Sequence, residues 1–337
     1  MLTEIVRASG LDSRPERLAE HVVAGHLYEL YGLSGVLSRI ATEKDDTFRF
    51  DNDAGRYLVK IAPASEDRRI VNLQSSAMLH LERHAPDIPA QRLIPGLRGQ
   101  MESRVTDSQG RSRVMRVLSY LDGTMLADTA ATNEQLRAVG VMMARVDDAL
   151  ADFHHPCESR LLLWDLKVFT HLRPLIDYVE NRDDRDMAHW VFDWFDRDIE
   201  PIIGDLQTQT IHGDFSPFNV LVDPARPEFV SGVIDFGDVV RSPVVFELSV
   251  AGSNQLSVNA NDPWGRADEI VHGYQRVRAL APGEAGLLAV TVPARLLSRA
   301  LIYQWRSTID PDIREYAMSH SAKDWQRLRT ALAPERN

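Results

Sequence analysis

Ile211-His212-Gly213-Asp214-Phe215-Ser216-Pro217-Phe218-Asn219-Val220-Leu221-Val222, followed after a polar connection by Gly232-Val233-Ile234-Asp235-Phe236-Gly237-Asp238, is the most informative part of the chain. Residues 219–222 and 230–234 are apolar, β-type runs separated by Asp-Pro and Arg-Pro punctuation, and they read as two strands. Paired as an antiparallel hairpin with its turn near Arg226 and Pro227, they set Asn219 opposite Asp235. Directly opposed residues point to the same face of a sheet, so an amide oxygen and a carboxylate are expected to meet at the open end. Asp214 stands in a Gly- and Pro-containing loop expected to bend back over the same cleft. Oxygen ligands of this type suit Mg²⁺, which is held by a few protein groups together with phosphate oxygens.

Phosphoryl transfer asks a protein for a positioned hydroxyl, neutralised phosphates and a carboxylate to take the hydroxyl proton. Asp214, Asn219 and Asp235 supply those functions at one place. Their arrangement, D-x-x-x-x-N and then D-F-G, matches the kinase signature set. Each element alone reads as an ordinary turn, with Asn219 as a cap. Three in order, with strand-like surroundings, favour the chemical reading.

Closer to the N-terminus, Arg56-Tyr57-Leu58-Val59-Lys60-Ile61 is an apolar strand with Lys60 projecting from its middle. A lysine placed there could reach nucleotide phosphates, as in the kinase V-A-I-K strand; the plain alternative is a gatekeeper on a sheet edge. No G-x-G-x-x-G precedes it. The loop reads Ala41-Thr42-Glu43-Lys44-Asp45-Asp46-Thr47, so any phosphate-covering segment uses other chemistry, unlike a protein kinase proper.

Around these motifs the periodicity predicts helices over 14–31 and 67–84, and strands over 36–40, 47–51, 57–62, 93–105 and 113–118. Asn52-Asp53-Ala54-Gly55 makes the turn of one hairpin. Further helices are predicted over 133–153, 169–179, 185–199, 264–277, 283–304 and 310–332, with Asn133 and Asp310 as N-caps. The fold class is therefore α+β and bilobal. Residues 1–118 form a β-rich lobe with one main helix, 119–124 a hinge, and 125–337 a larger, mostly helical lobe.

Bulk properties narrow the partners. The 337 residues carry a formal charge of −11, which argues against nucleic acid and weakly favours an amine-bearing partner. Cys157 is the only cysteine, so no intrachain disulfide can form. The first twenty-five residues contain no apolar signal-peptide core, and the apolar stretch 286–297 is too short to span a bilayer and carries Pro293 and Arg295. A cytoplasmic protein with no membrane partner is expected.

These residues resemble the aminoglycoside phosphotransferase and choline kinase superfamily, a protein-kinase-like fold. There His-Gly-Asp replaces the His-Arg-Asp of protein kinases, and here it stands as His212-Gly213-Asp214. Further similarity lies in Tyr57-Leu58-Val59-Lys60-Ile61, Leu118-Ser119-Tyr120-Leu121-Asp122-Gly123, Phe153-His154-His155-Pro156 and Trp164-Asp165-Leu166-Lys167. It continues through Val245-Phe246-Glu247, and within the superfamily it is greatest to the hydroxylysine kinase branch. The resemblance implies Asp214 as catalytic base, Asn219 and Asp235 as metal ligands, and Lys60 on the nucleotide phosphates. Leu118 and Tyr120 would belong to the hinge against which the purine lies. One departure is visible: where the helix after the lysine strand usually offers a glutamate, this chain has Gln74, with Glu66 and Glu82 at less suitable spacings. Gln74 would orient Lys60 by a hydrogen bond.

His154-His155 point about 100° apart on a helix and favour its C-terminus, so a metal site is not expected there. Trp190, Phe192, Trp194 and Phe195 fit the buried side of an amphipathic helix better than an ammonium cage. Asp238 could take the ammonium of an acceptor or cap a turn; Glu247 reads as structural. The expected activity is a Mg²⁺-dependent kinase using ATP or GTP on a small amine-bearing acceptor, an amino alcohol or a hydroxy amino acid of the hydroxylysine kind. The alternatives are an antibiotic (aminoglycoside-type) phosphotransferase and a nucleotide-binding pseudokinase, the latter suggested by Gln74 and the missing glycine loop.

Overall fold

The computed structural model describes residues 1–11, 17–259 and 261–333. Helix α1 (Leu2–Ala8) is followed by α2 (Glu20–Tyr31), which stops at Gly32 in the left-handed region. The helix predicted from residue 14 thus begins at Glu20; residues 14–16 of that prediction lie outside the described residues.

Strands β1 (Val36–Ile40), β2 (Asp46–Asn52) and β3 (Gly55–Ile61) form an antiparallel meander. The Asn52 side chain accepts from the amides of Ala54 and Gly55 and so shapes the second turn. Alternation buries Phe48, Phe50, Val59 and Ile61 on the face covered by Val23, Leu27 and Tyr31 of α2. Helix α3 (Arg68–His84) is capped by Asp67, whose carboxylate accepts from the Arg69 amide. Strands β4 (Ser103–Thr106) and β5 (Ser112–Ser119) complete a sheet in the order β1-β2-β3-β5-β4. The long strand predicted over 93–105 shrinks to β4. Pro95 has no amide to donate, Gly99 has φ +77°, and only Leu93 bridges to Leu118 before the chain turns.

Beyond β5 come β6 (Thr124–Met125) and α4 (Asn133–Leu150), whose N-cap is Thr132 in a reciprocal capping box with Gln135, one residue before the predicted Asn133. A run of 3₁₀ turns occupies Leu166–Tyr178 where a regular helix was expected; Pro174 inside it removes a donor. Then follow α5 (Arg182–Asp198), β7 (Thr208–Ile211), β8 (Val220–Val222), β9 (Val230–Val233) and β10 (Val240–Pro243). Strands β6, β8 and β9 make one small sheet, and β7 pairs with β10. Four helices end the chain: α6 (Val244–Gln255), α7 (Gly265–Gln275), α8 (Glu284–Ile309) and, after Asp310 caps a 3₁₀ turn, α9 (Arg314–Leu332).

The length argument against a membrane span does not survive for α8. This helix has 26 residues and an 18-residue window of mean hydropathy 1.5, enough by length and composition to cross a bilayer. Its apolarity is accounted for by packing instead, since 72% of that window is buried against α6, α9 and the 166–178 turns. The two parts of the molecule are closely tied. Ala90 bridges to Val233, and Ser9, just after α1, accepts a hydrogen bond from the Leu163 amide at 2.7 Å.

Candidate active site

Strand β7 delivers His212, Gly213 and Asp214 to the junction between the five-stranded sheet and the helical part. Gly213 has φ +82°, and a Cβ there would lie 2.2 Å from the Asp238 carbonyl oxygen. Only glycine lets the 212–214 loop press so closely on the 236–238 turn. His212 is fully buried. Its Nε2 lies 3.1 Å from the Ile234 carbonyl and its Nδ1 accepts from the Asp214 amide at 3.3 Å. Burial lowers its pKa, so a neutral ring with the proton on Nε2 satisfies both contacts.

Beneath this loop Glu247 of α6, also fully buried, accepts from the amides of Gly213 (2.9 Å) and Phe215 (3.3 Å). Burial raises its pKa well above the ordinary carboxylate value, the negative charge on Asp147 adding to the effect. The sequence reading of Glu247 as structural fits this position, but what it supports is the Asp214 loop itself.

The hairpin forms with a different register from the predicted one. Val220 pairs with Val233, so Asn219 stands opposite Ile234, whose amide donates to the Asn219 carbonyl at 3.0 Å. Asp235 is one residue further on. It reaches the cleft because the chain leaves β9 with φ +60° at Asp235, a left-handed conformation that aspartate tolerates better than most residues. A bulge at Leu221/Val222 takes up the difference. Asn219 nevertheless meets Asp214: its amide nitrogen donates to the Asp214 carboxylate at 2.6 Å and to the Asp214 carbonyl at 3.0 Å. The amide oxygen of Asn219 is left as the acceptor end of the group.

Lys60 lies 3.0 Å from Asp235 and 3.4 Å from Asp45. Burial works against the ammonium, but the two carboxylates outweigh it and raise the Lys60 pKa. Lys60 in turn holds the Asp235 pKa below the ordinary value. Gln74 is not the partner expected from its spacing: its amide donates to the Gly237 carbonyl at 3.1 Å, so it fixes the turn after Asp235. The second carboxylate comes from the β1–β2 loop. That loop is laced with charge, pairing Asp45 with Lys60, Lys44 with Glu66, and Glu43 with Arg306 of α8.

Two cavities meet here. The smaller, about 140 Å³, is lined by Asp45, Lys60, Gln74 and Arg160; the larger, about 960 Å³, by Trp164, Arg295, Arg299 and Tyr303. Asp214, Asp235 and Asp238 line both. Burial raises the Asp214 pKa, with Arg295 opposing and Asp235 reinforcing the shift. Burial, then the charge of Asp214, raises Asp238 to about 6.

Other expected residues lie elsewhere. Leu118 is buried in the sheet opposite Leu58, and the Tyr120 ring lies between the Arg49 and Arg56 guanidiniums, 5.5 and 5.2 Å away. Neither residue lines these two cavities. His154 pairs with Glu158 and His155 contacts Asn72, so they do not share a ligand site. Phe192 and Phe195 pack on Phe169 in the core, while Trp190 and Trp194 pack on each other at its edge. The α8 wall was not anticipated. Its signal was the charged Arg295 and Arg299 inside an otherwise apolar helix.

The sequence pattern of the "phosphotransferase enzyme family" matches residues 37–280, which takes in the sheet, Lys60 and the whole Asp214–Asp238 region. The chain belongs to that family. This phosphotransferase is 26% identical to the hydroxylysine kinase of Danio rerio over 331 residues, covering 94% of the chain and 92% of that relative. Its fold is shared with a microcompartment-associated aminopropanol kinase at TM-score 0.73 and 18% identity, covering 94% of this chain and 98% of the other. It is also shared with the amicoumacin kinase hAmiN, solved with AMP-PNP, Ca²⁺ and its antibiotic, at TM-score 0.70 and 14% identity. That match covers 98% of this chain and 96% of the other. The bilobal kinase-like fold and phosphotransferase class expected from the motifs are borne out.

Proposed function

We propose that this phosphotransferase is a small-molecule kinase that moves the γ-phosphoryl of ATP or GTP to a hydroxyl of an amino alcohol or hydroxy amino acid. The observation that carries this reading is the connected set Lys60–Asp235 and Asn219–Asp214 at the meeting point of two cavities. In the reaction the acceptor oxygen bonds to the γ-phosphorus as the bond to the β-bridging oxygen breaks, and the hydroxyl proton passes to Asp214. One Asp214 oxygen is tied to Asn219, which holds the carboxylate in place, and burial increases its affinity for the proton.

The Asn219 amide oxygen and the Asp235 carboxylate are hard oxygen donors that fit Mg²⁺, and these residues would hold it. The ion would neutralise charge on the phosphates. Lys60 would contact those phosphates from the small cavity, and the purine would lie against the hinge at Leu118 and Tyr120. On this reading residues 1–118 are the nucleotide-binding lobe, 119–124 the hinge, and 125–337 the catalytic and acceptor lobe. Asp238, edging the large cavity, would face an acceptor's ammonium. A cytoplasmic setting supplies ATP and GTP, and no nucleic acid or membrane takes part.

The hydroxylysine kinase similarity over most of both chains supports an amino-acid-sized acceptor. The cavity of about 960 Å³ favours a second reading, an antibiotic-type acceptor, because it is at the upper end of drug-sized pockets. The test is phosphate transfer by purified protein across hydroxylysine, homoserine, ethanolamine, choline and aminoglycosides. Asp214→Ala is expected to abolish transfer with nucleotide binding kept. Turnover of no acceptor, or full activity in the variant, removes the proposal.

A further inference from the structure

We propose that the large cavity contains a carboxylate-recognition subsite centred on Arg295, so that the acceptor is a hydroxy acid, most simply a hydroxy amino acid, and neither a bare amino alcohol nor a polycationic antibiotic. This names the substrate class of the site described above and rests on the kinase reading.

Helix α8 turns Arg295, Arg299 and Tyr303, spaced i, i+4 and i+8, onto one wall of the cavity. The two arginines differ. Arg299 is fully engaged: its Nε and Nη2 donate to the two oxygens of Asp324 at 2.7 and 2.5 Å, and its Nη1 to Asn254. Arg306, further along, is paired with Glu43. Arg295 has no such partner. It is 6% exposed, makes no hydrogen bond or ion pair among the described residues, and its Nη1 is buried without an acceptor. Its guanidinium rests over the Trp164 ring, 5.5 Å from the ring centre, a contact that uses none of its N–H donors in a conventional hydrogen bond.

A guanidinium stays protonated in proteins, and a buried charge is costly unless something pairs with it. The missing partner is therefore an anion brought from outside. The planar fork of arginine matches a carboxylate or phosphate through two parallel hydrogen bonds. Position separates these two. Lys60, the cation suited to nucleotide phosphates, lines the smaller cavity, whereas Arg295 lines only the larger one, with Trp164, Tyr303 and His320. The anion at Arg295 therefore belongs to the acceptor. Asp214, Asp235 and Asp238 share this cavity but form no ion pair with Arg295 within 4.0 Å; Asp214 and Asp238 act on it through space without satisfying its donors. A polycationic acceptor would set more positive charge against Arg295, and an amino alcohol would leave it buried and unpaired.

The experiment measures kcat/KM for matched acceptors that differ by one carboxylate. The pairs are homoserine with 3-aminopropan-1-ol and hydroxylysine with 1,5-diaminopentan-2-ol, with kanamycin as a cationic control. A site built to bind a polar group discriminates strongly against the analogue that lacks it. The expected result is a preference of about 100-fold or more for the carboxylate member of at least one pair. In Arg295→Met that preference is expected to fall below about 10-fold, mainly through acceptor KM, with Arg295→Lys in between. Equal use of both members, or a preference that survives Arg295→Met, overturns the proposal. So does a wild-type enzyme that hydrolyses nucleotide but accepts only carboxylate-free alcohols. A rise in nucleotide KM alone, the same for every acceptor, moves Arg295 to the phosphates and also overturns it. Absence of both metal-dependent nucleotide hydrolysis and transfer to every acceptor defeats the kinase reading itself, and this subsite with it. The substrate comparison needs no variant, so a poorly folding substitution does not spoil the test.

Discussion

Glu247→Ala probes how the loop around Asp214 is held. The Glu247 carboxylate is fully buried and is the acceptor for two loop amides, those of Gly213 and Phe215. A buried donor left without an acceptor costs about 1–3 kcal/mol. Two of them cost about 2–6 kcal/mol, before any contribution from the space the side chain vacates. Glu247→Gln keeps one oxygen acceptor but turns an NH₂ toward the second amide, so about 1–3 kcal/mol is expected. The pH dependence has a defined sign. Burial raises the Glu247 pKa in the folded state, so its contribution is fully present below the unfolded value and is lost as pH rises through the folded one. The deficit of the alanine variant is therefore largest at the acid end and shrinks as pH rises through the folded-state value. Urea unfolding at unchanged m measures the stability term. Initial phosphate-transfer rates measure the second consequence, because a shift of about 1 Å in a positioned group can cost about 100-fold in rate. An alanine variant within about 0.5 kcal/mol of wild type and with full kcat would refute this account of the loop.

Three further outcomes are expected. The rate of transfer should fall as pH drops through about 6, where Asp238 takes up a proton beside Asp214, whose own affinity for a proton burial raises; a kcat/KM flat from pH 5 to 8 would show that the Asp238 ionisation does not govern transfer. Gly213→Ala introduces a Cβ 2.2 Å from the Asp238 carbonyl in a left-handed conformation, so thermal melting should show a loss of more than about 1–2 kcal/mol, and a neutral result would mean the loop is not packed as described. Asp45→Asn removes a carboxylate that competes with phosphates for Lys60, so nucleotide KM should fall a few-fold, about 0.5–1 kcal/mol; a rise would show that Asp45 positions Lys60 for binding.

The site was legible in the sequence where it depends on local order along the chain. His212-Gly213-Asp214 and Asp235-Phe236-Gly237 each fix their own turn, and the four residues between Asp214 and Asn219 are few enough for the chain to return on itself. What depends on partners far along the chain was not legible. The hairpin register slipped by one because the bulge at Leu221/Val222 and the positive φ at Phe229 leave no compositional mark. Gln74 had the spacing of a lysine partner, but the direction of its side chain is set by α3 packing on the 236–238 turn, and Asp45 supplies the carboxylate from a loop folded over the sheet. Helix α6 escaped notice because nearly all of its residues are buried, leaving no polar face to reveal a period.

The carboxylates of the cleft are separated by their surroundings into different roles. Asp235 has Lys60 at 3.0 Å and a hydrogen bond from the Gly237 amide, and both hold it ionised at any pH where the enzyme would work. A carboxylate so held is suited to a cation and poorly suited to taking a proton. Asp214 has no cation within 4.0 Å among the described residues; burial and the charge of Asp235 raise its pKa against the pull of Arg295. It is suited to accept a proton at the moment a hydroxyl gives one up. Environments that push neighbouring acids apart in this way are how acid–base assignments are made in active sites. The same reasoning reaches Arg295, which moderates the rise at Asp214 while lacking a partner of its own. An acceptor carboxylate that neutralised Arg295 would weaken that moderation and make Asp214 a stronger base only when the right substrate is bound. The apparent pKa of kcat should then lie above that of nucleotide hydrolysis without acceptor, and coincident values would break the link between the two residues.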